Sequence, residues 1–208
     1  MTGIAIYIEG GGDSTSGKAQ LRQGFDALLA RQKNAARARK LHWKLVLCGG
    51  RNATFDAFQH ATKTAVSEIV VLLVDAEDAV ATSTPTGRAT HLATRDGWNL
   101  EGVTAERIHL MTQCMEAWIV ADAETLATFY GKDFRPGALP KRNVLDDEPK
   151  ASLYTALEAA TKHTQKGSYG KIKHASELLK RVRPTLVATR CTSFQDFAKG
   201  LDAAIAGA

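Results

Sequence analysis

Two short apolar runs, each stopped by an acid, constrain this chain more than any other feature. Gly3 to Gly12 reads Gly-Ile-Ala-Ile-Tyr-Ile-Glu-Gly-Gly-Gly, and Ile69 to Asp78 reads Ile-Val-Val-Leu-Leu-Val-Asp-Ala-Glu-Asp. Runs of this length, rich in Ile and Val and without polar alternation, describe strands covered on both faces, as in a parallel sheet. Ligands of open α/β sheets bind beyond the carboxyl ends of such strands. Glu9, Asp75 and Glu77 or Asp78 are therefore expected to meet at one sheet edge. Carboxylates held together repel unless a cation or a shared proton intervenes. The expectation is a divalent-metal site. Asp78, one residue past the Asp75/Glu77 pair, reads better as a solvated loop acid.

The rest of the chain supplies the alternation that a parallel sheet needs. A glycine- and serine-rich loop, Gly10 to Lys18, leads to a helix from about Ala19, with Leu21, Phe25, Leu28 and Leu29 on one face. A second strand is expected at His42–Cys48, a helix at Thr54–Val66, and the third strand at Ile69–Val74. This β-α-β-α-β order implies right-handed crossovers and an α/β fold with helices flanking a parallel sheet. Pro85, Gly87, Gly97 and Gly102 punctuate the next stretch, which reads as an irregular loop with at most a short helix around His91. A fourth strand is expected at Arg107–Met111, followed by helical segments at Glu116–Ala121 and Ala123–Tyr130. Residues 131–149, with Pro136, Pro140 and Pro149, read as a hinge or lid. Residues 150–208 read as a basic, helical C-terminal part packed on the same α/β domain of residues 1–130.

Composition narrows the partners. Among 208 residues, 44% are hydrophobic, enough for a sizeable core. A formal charge of +5 and a pI near 9.2 suit a polyanionic partner without requiring one. Cys48, Cys114 and Cys191 form no Cys-x-x-Cys pair, which argues against a structural zinc site and fits a reducing compartment, the cytoplasm. The first residues lead directly into a strand, so no signal peptide is expected, and no apolar stretch is long enough for a membrane span.

Gly12-Asp-Ser-Thr-Ser-Gly17-Lys18 matches the first part of a phosphate-binding P-loop, and strand three then resembles its acidic partner strand. The next residue is Ala19, where such a loop needs a Ser or Thr hydroxyl for Mg²⁺. A P-loop-like nucleotide binder or kinase is the alternative reading. In either reading Gly11, Gly12 and Lys18 are candidate phosphate contacts. As a carboxylate cluster, Glu9, Asp75 and Glu77 offer hard oxygen ligands suited to Mg²⁺ or Mn²⁺, with substrate phosphate completing the shell. Lys166-Gly-Ser-Tyr-Gly-Lys171-Ile-Lys173 is a compact basic loop in which glycines allow close approach to phosphate and lysines neutralise it. Read without function, it is a basic surface loop ahead of a helix.

At these residues the chain resembles the Toprim pattern, with Glu9 in Ile8-Glu-Gly-Gly-Gly-Asp13 and then Asp75-x-Glu77. Three further segments, His109-Leu-Met-Thr-Gln-Cys-Met-Glu-Ala-Trp-Ile-Val-Ala-Asp122, Asp96-Gly-Trp98 and Lys166 to Lys171, resemble a Toprim-like family of bacterial proteins. That family is related to the OLD-type and RloB-like nucleases and is often encoded beside defence ATPases. The usual Toprim pair is two aspartates, and Glu77 departs from it. The resemblance implies a Toprim-like Rossmannoid sheet and metal-dependent cleavage of DNA or RNA. It implies Glu116 as a further metal ligand and Lys166 or Lys171 as the lysine near the metals. It also implies a role in anti-phage defence with a partner ATPase. A non-catalytic subunit of such a complex is the third reading.

Overall fold

The computed structural model describes residues 2–65 and 67–208. Its centre is a parallel sheet of β1 (Gly3–Glu9), β2 (His42–Gly49), β3 (Glu68–Asp75) and β4 (Ile108–Met111), in the order β2-β1-β3-β4. Strand β1 pairs with β2 on one side and β3 on the other, so the direction of winding reverses between β1 and β3. Such a reversal leaves a crevice at the carboxyl edge, between the two strand ends, where open α/β sheets bind their ligands. Glu9 and Asp75 are the last residues of those two strands.

Side-chain alternation sends each strand's apolar residues into two layers. Ile4, Ile6, Ile8, Val71 and Leu73 face a large core that includes Phe25, Trp118, Leu178, Phe197 and Leu201. Ala5, Tyr7, Val70, Leu72 and Val74 face a smaller one, with Phe55, Phe58, Leu92 and Trp98. The larger layer is built from α1 (Thr15–Leu28), α2 (Ala30–Ala38), α5 (Glu116–Val120), α6 (Ala123–Tyr130), α7 (Lys150–Thr161), α8 (Lys171–Leu179), α9 (Pro184–Arg190) and α10 (Thr192–Gly207). The smaller one holds α3 (Arg51–Thr64) and α4 (Pro85–Asp96). The chain is thus an α/β fold, and its C-terminal helices share one core with α1. No helix among the described residues is long and apolar enough to cross a membrane.

Several elements differ from expectation. Helix α1 starts at Thr15 rather than Ala19, because the Ser14 hydroxyl accepts from Gly17 N at 3.0 Å and caps it. Helix α3 starts at Arg51, three residues early, and its expected end at Val66 lies outside the described residues. The stretch read as irregular holds the twelve-residue α4, capped by Thr84, opened by Pro85 and closed by left-handed Gly97. Only Arg88 and Leu92 of that helix are buried, so its apolar periodicity is faint in sequence. Residues 131–149 form two short 3₁₀ turns, with Leu139 and Leu145 buried in the larger core.

Candidate functional site

Glu9 leaves β1 at the crevice and is half-buried. Its Oε2 accepts from the Asp75 amide at 3.2 Å and from Arg51 Nη1 at 3.1 Å. The Asp75 side chain is buried across from it. Its Oδ1 accepts from Met115 N at 2.9 Å and its Oδ2 from Lys171 Nζ at 3.1 Å. Glu77 joins them by a route the strand period does not describe. Strand β3 ends at Asp75, and Glu77 then takes a left-handed φ of 70°, a conformation that costs a non-glycine residue roughly 1 kcal/mol or more. Its amide donates to Gln113 O at 2.7 Å, which ties the turn to the segment after β4. One carboxylate oxygen from each of Glu9, Asp75 and Glu77 lies within 4.8 Å of the others.

Each of these acids has its own cation. Arg51, at the start of α3, donates to Glu9, to the Asp75 carbonyl and, in a bidentate pair at 2.7 and 2.9 Å, to Asp96. Its guanidinium also lies 5.0 Å from the Trp98 ring centroid. Lys171, at the start of α8, holds Asp75. Lys150, at the start of α7, places Nζ 2.7 and 2.6 Å from the two Glu77 oxygens. Sequence reasoning did not single out Arg51 or Lys150. The only local signal is that each opens a helix directly after a chain-breaking residue, Gly50 or Pro149.

A fourth acid lies deeper. Glu116, first residue of α5, is fully buried. Its Oε1 accepts from the Tyr169 hydroxyl at 3.0 Å. Its Oε2 has no hydrogen-bond partner among the described residues and lies 4.0 Å from Lys171 Nζ. Tyr169, in the basic loop ahead of α8, thus directs its hydroxyl to this carboxylate.

Burial and mutual repulsion set the electrostatics. Burial, then the charge of Asp75, raises the Glu9 pKa, against the lowering effect of Arg51. Burial also raises Asp75, against the opposing charge of Lys171. For Lys171, burial works against the ammonium, but Asp75 and Glu116 outweigh it and its pKa rises. Burial, then Glu116, raises the Tyr169 hydroxyl well above its ordinary value. Asp96 goes the other way: burial alone would raise it, and Arg51 pulls it down.

Of the residues expected at the site, Glu9, Asp75, Glu77, Glu116 and Lys171 come together. Asp78 turns out to solvent and pairs with Arg95 at 3.1 Å. Lys166 belongs to the loop ahead of α8 and Lys173 to the first turn of that helix. Lys166 Nζ lies 4.9 Å from the Phe129 ring centroid, and Lys173 Nζ donates to the Lys166 carbonyl at 3.0 Å. Lys18, in the first turn of α1, extends its side chain to the end of β2, where a Cβ on Gly49 would come within 3.4 Å of its Nζ. Gly10, Gly11 and Gly12 all have positive φ, forming a tight turn beside Glu9. A side chain on Gly11 would collide with the Lys18 backbone at 2.8 Å. His91 Nε2 donates to the Ala76 carbonyl at 2.9 Å, while His109 is buried against Phe197.

Compared with known proteins, the chain matches the family model described as "Domain of unknown function (DUF4276)" over residues 8–202, from the end of β1 into α10. No curated protein and no solved structure matches it.

Proposed function

The chain belongs to the DUF4276 family, and from its site we propose that it cleaves phosphodiester bonds in DNA or RNA with Mg²⁺ or Mn²⁺. The observation that carries this reading is the acid cluster at the β1/β3 crevice. Three carboxylate oxygens lie within 4.8 Å of one another, beside a buried Glu116 oxygen without a partner. An unpaired buried carboxylate oxygen is costly, and it is aimed at the Lys171 side of the cluster. The donors are all hard oxygens, which fits Mg²⁺ or Mn²⁺ and disfavours soft metals. Glu9, Asp75 and Glu77 would hold the ion, with Glu116 available to a second. When bound, the ion supplies positive charge for phosphate oxygens and a water of raised acidity.

The chain's own residues supply the remainder. Arg51 fixes the Glu9 carboxylate and the Asp75 carbonyl, so both are oriented before substrate arrives. Lys171 stays charged and sits beside the cluster, placed to neutralise charge that builds on a phosphate oxygen in the transition state. The glycine turn keeps side chains away from that side of Glu9. The resemblance to Toprim-like proteins adds a defence setting and a partner ATPase to this proposal.

The test is cleavage of plasmid, single-stranded DNA and tRNA in Mg²⁺, Mn²⁺ or EDTA, with and without the neighbouring ATPase. Glu9→Gln and Asp75→Asn are each expected to reduce cleavage at least about a hundredfold, as loss of a metal ligand does. Equal cleavage by wild type and Glu9→Gln, or cleavage that survives EDTA, refutes the assignment.

A further inference from the structure

Beside the acids is a cavity of about 330 Å³, between the glycine turn Gly10–Gly12 and the first turns of α8. Leu21, Met115, Ile172 and Ala175 make its lining largely apolar, and its only charged group is Lys171. Three residues join it to the cluster. Gly10 follows Glu9 in the chain, the Met115 amide donates to Asp75 Oδ1 at 2.9 Å, and the Lys171 ammonium donates to Asp75 Oδ2 at 3.1 Å. Whatever enters the slot therefore has its far end at the acids.

The lining states the chemistry of the occupant. It is uncharged at one end, where the walls are glycine backbone and aliphatic side chains. At the other end Lys171 offers an ammonium shared with Asp75 and Glu116, and an ion held by the acids would supply the further positive charge that an anionic group needs there. The start of α8 favours the same polarity. Its N-cap is Gly170, which offers no side-chain acceptor, so the first amides of this nine-residue helix are open to an anion. Ile172 sits at the slot with 80% of its surface exposed. A single exposed isoleucine is unremarkable on its own. At this position it extends the apolar wall out to solvent.

We propose that the slot takes the base of one unpaired nucleotide, with its phosphate against Lys171 and the acids. A cavity of this size is at the small end for ligand sites. It admits one base and has no room for a stack of pairs. A base inside a duplex must be unstacked and unpaired to enter, at a cost of a few kcal/mol. Single strands, loops and frayed ends are therefore the preferred substrates. With aliphatic walls and few polar groups to read base edges, the slot gives little discrimination among bases. The proposal rests on the phosphodiesterase reading for what happens to the phosphate, while the slot itself is made of protein atoms alone.

The experiment separates the two. Binding of thymidine 5′-monophosphate, deoxyribose 5-phosphate and inorganic phosphate is measured calorimetrically in EDTA, and Mn²⁺ binding is measured independently by electron paramagnetic resonance. The nucleotide is expected to bind at least tenfold more tightly than the sugar phosphate. Ile172→Glu is expected to abolish that difference and Ile172→Val to retain it, with Mn²⁺ affinity unchanged in both. Because Ile172 is exposed, neither change disturbs the core, which thermal melting verifies. The matched cleavage assay uses one oligonucleotide, single-stranded or fully paired, and the single strand is expected to be cut at least tenfold faster. Equal binding of the three phosphates, an undiminished preference in Ile172→Glu, or equal cutting of both oligonucleotide forms overturns the proposal. Nucleotide preference without any Mn²⁺ binding would leave the slot standing and remove the metal reading. Mn²⁺ binding without nucleotide preference would do the reverse.

Discussion

Lys150→Met isolates the competition between a lysine and a metal for the same carboxylate. The Lys150 ammonium lies 2.6 and 2.7 Å from the two oxygens of Glu77, with side chains 29% and 23% exposed. A divalent ion that takes Glu77 has to displace it. Unit charges at 4 Å attract by about 4 kcal/mol at an effective dielectric of 20 and about 1 kcal/mol in water. At this exposure screening pulls the pair toward the lower figure, about 1–2 kcal/mol. Removing the competitor should tighten Mn²⁺ binding by that amount, which is about five- to thirtyfold. Methionine keeps most of the aliphatic stem, so α7 retains its packing at this position.

The readout is the free Mn²⁺ signal in electron paramagnetic resonance titrations of wild type, Lys150→Met and Lys180→Met. Lys180 pairs with Glu177 on α8, away from the cluster, and its loss should change nothing. Metal-free Lys150→Met should also melt earlier, because Glu77 is left facing two other acids without its counter-ion. Saturating Mn²⁺ should remove that deficit. Unchanged or weaker Mn²⁺ binding in Lys150→Met refutes the reasoning, since Glu77 would then not be a ligand that Lys150 withholds.

Two further predictions concern the other charges. Arg51→Met should destabilise the metal-free fold by about 3 kcal/mol, as breaking a buried pair does, because Asp96 and Glu9 both lose their counter-charge; urea denaturation in EDTA measures it, and a change within experimental error would show that Arg51 does not hold the site together. The second is a pH dependence. Burial first, then Asp75, raises the Glu9 carboxyl above 4.5, and burial raises Asp75 above 3.8. A carboxyl that binds its proton more tightly folded than unfolded favours the fold while protonated, and that contribution is lost as pH rises through the folded value. Asp96, held below 3.8 by Arg51, contributes in the opposite sense and only at more acid pH. The fall in metal-free melting temperature from about pH 5 to about pH 7, the range above ordinary carboxyl values, should therefore be smaller in Glu9→Gln than in wild type. An equal fall in both would show that Glu9 is not strained by ionisation.

The parts of the site legible in sequence were those marked by an interruption of a local pattern. An apolar strand ending in Glu9, and another ending in Asp75, announce themselves because a strand buried on both faces has no other place for a charge. Glu77 was expected from its place just after the apolar run, in the Asp75-x-Glu77 pattern, and it is a left-handed turn at Glu77 itself, past the end of the strand, that brings its carboxylate to the others. Arg51 and Lys150 were not legible in this way, whereas Lys171 was marked by its glycine-flanked basic loop. Arg51 lies 42 positions from Glu9, Lys150 lies 73 from Glu77, and Lys171 lies 96 from Asp75. Each is an ordinary helix-start residue until the crossovers bring α3, α7 and α8 to the same sheet edge. Helix α4 escaped for the complementary reason, since it buries only two side chains and one of them is Arg88.

That difference between acids and cations bears on how the site works. The two strand-end carboxylates belong to neighbouring strands, and Glu9 is tied to β3 through the Asp75 amide at 3.2 Å. The three cations reach them from three separate helices, through long side chains. Of the two lysines, Lys171 holds a buried aspartate, while Lys150 holds a half-buried glutamate at the exposed side of the cluster. An incoming ion therefore meets the Lys150–Glu77 pair at the side open to solvent and the Lys171–Asp75 pair on the buried side. In the proposed reading the strand ends would provide the metal ligands, and the three helix-borne cations offset the acids' mutual repulsion. The order of events would then follow from the exposure of the acids, 23% for the Glu77 side chain against 2% for Asp75. Lys150 should yield first, to the metal, and Lys171 should stay beside the buried acids to meet the phosphate. Lys150→Met should then change metal affinity more than it changes the phosphate dependence of binding, and Lys171→Met should do the opposite.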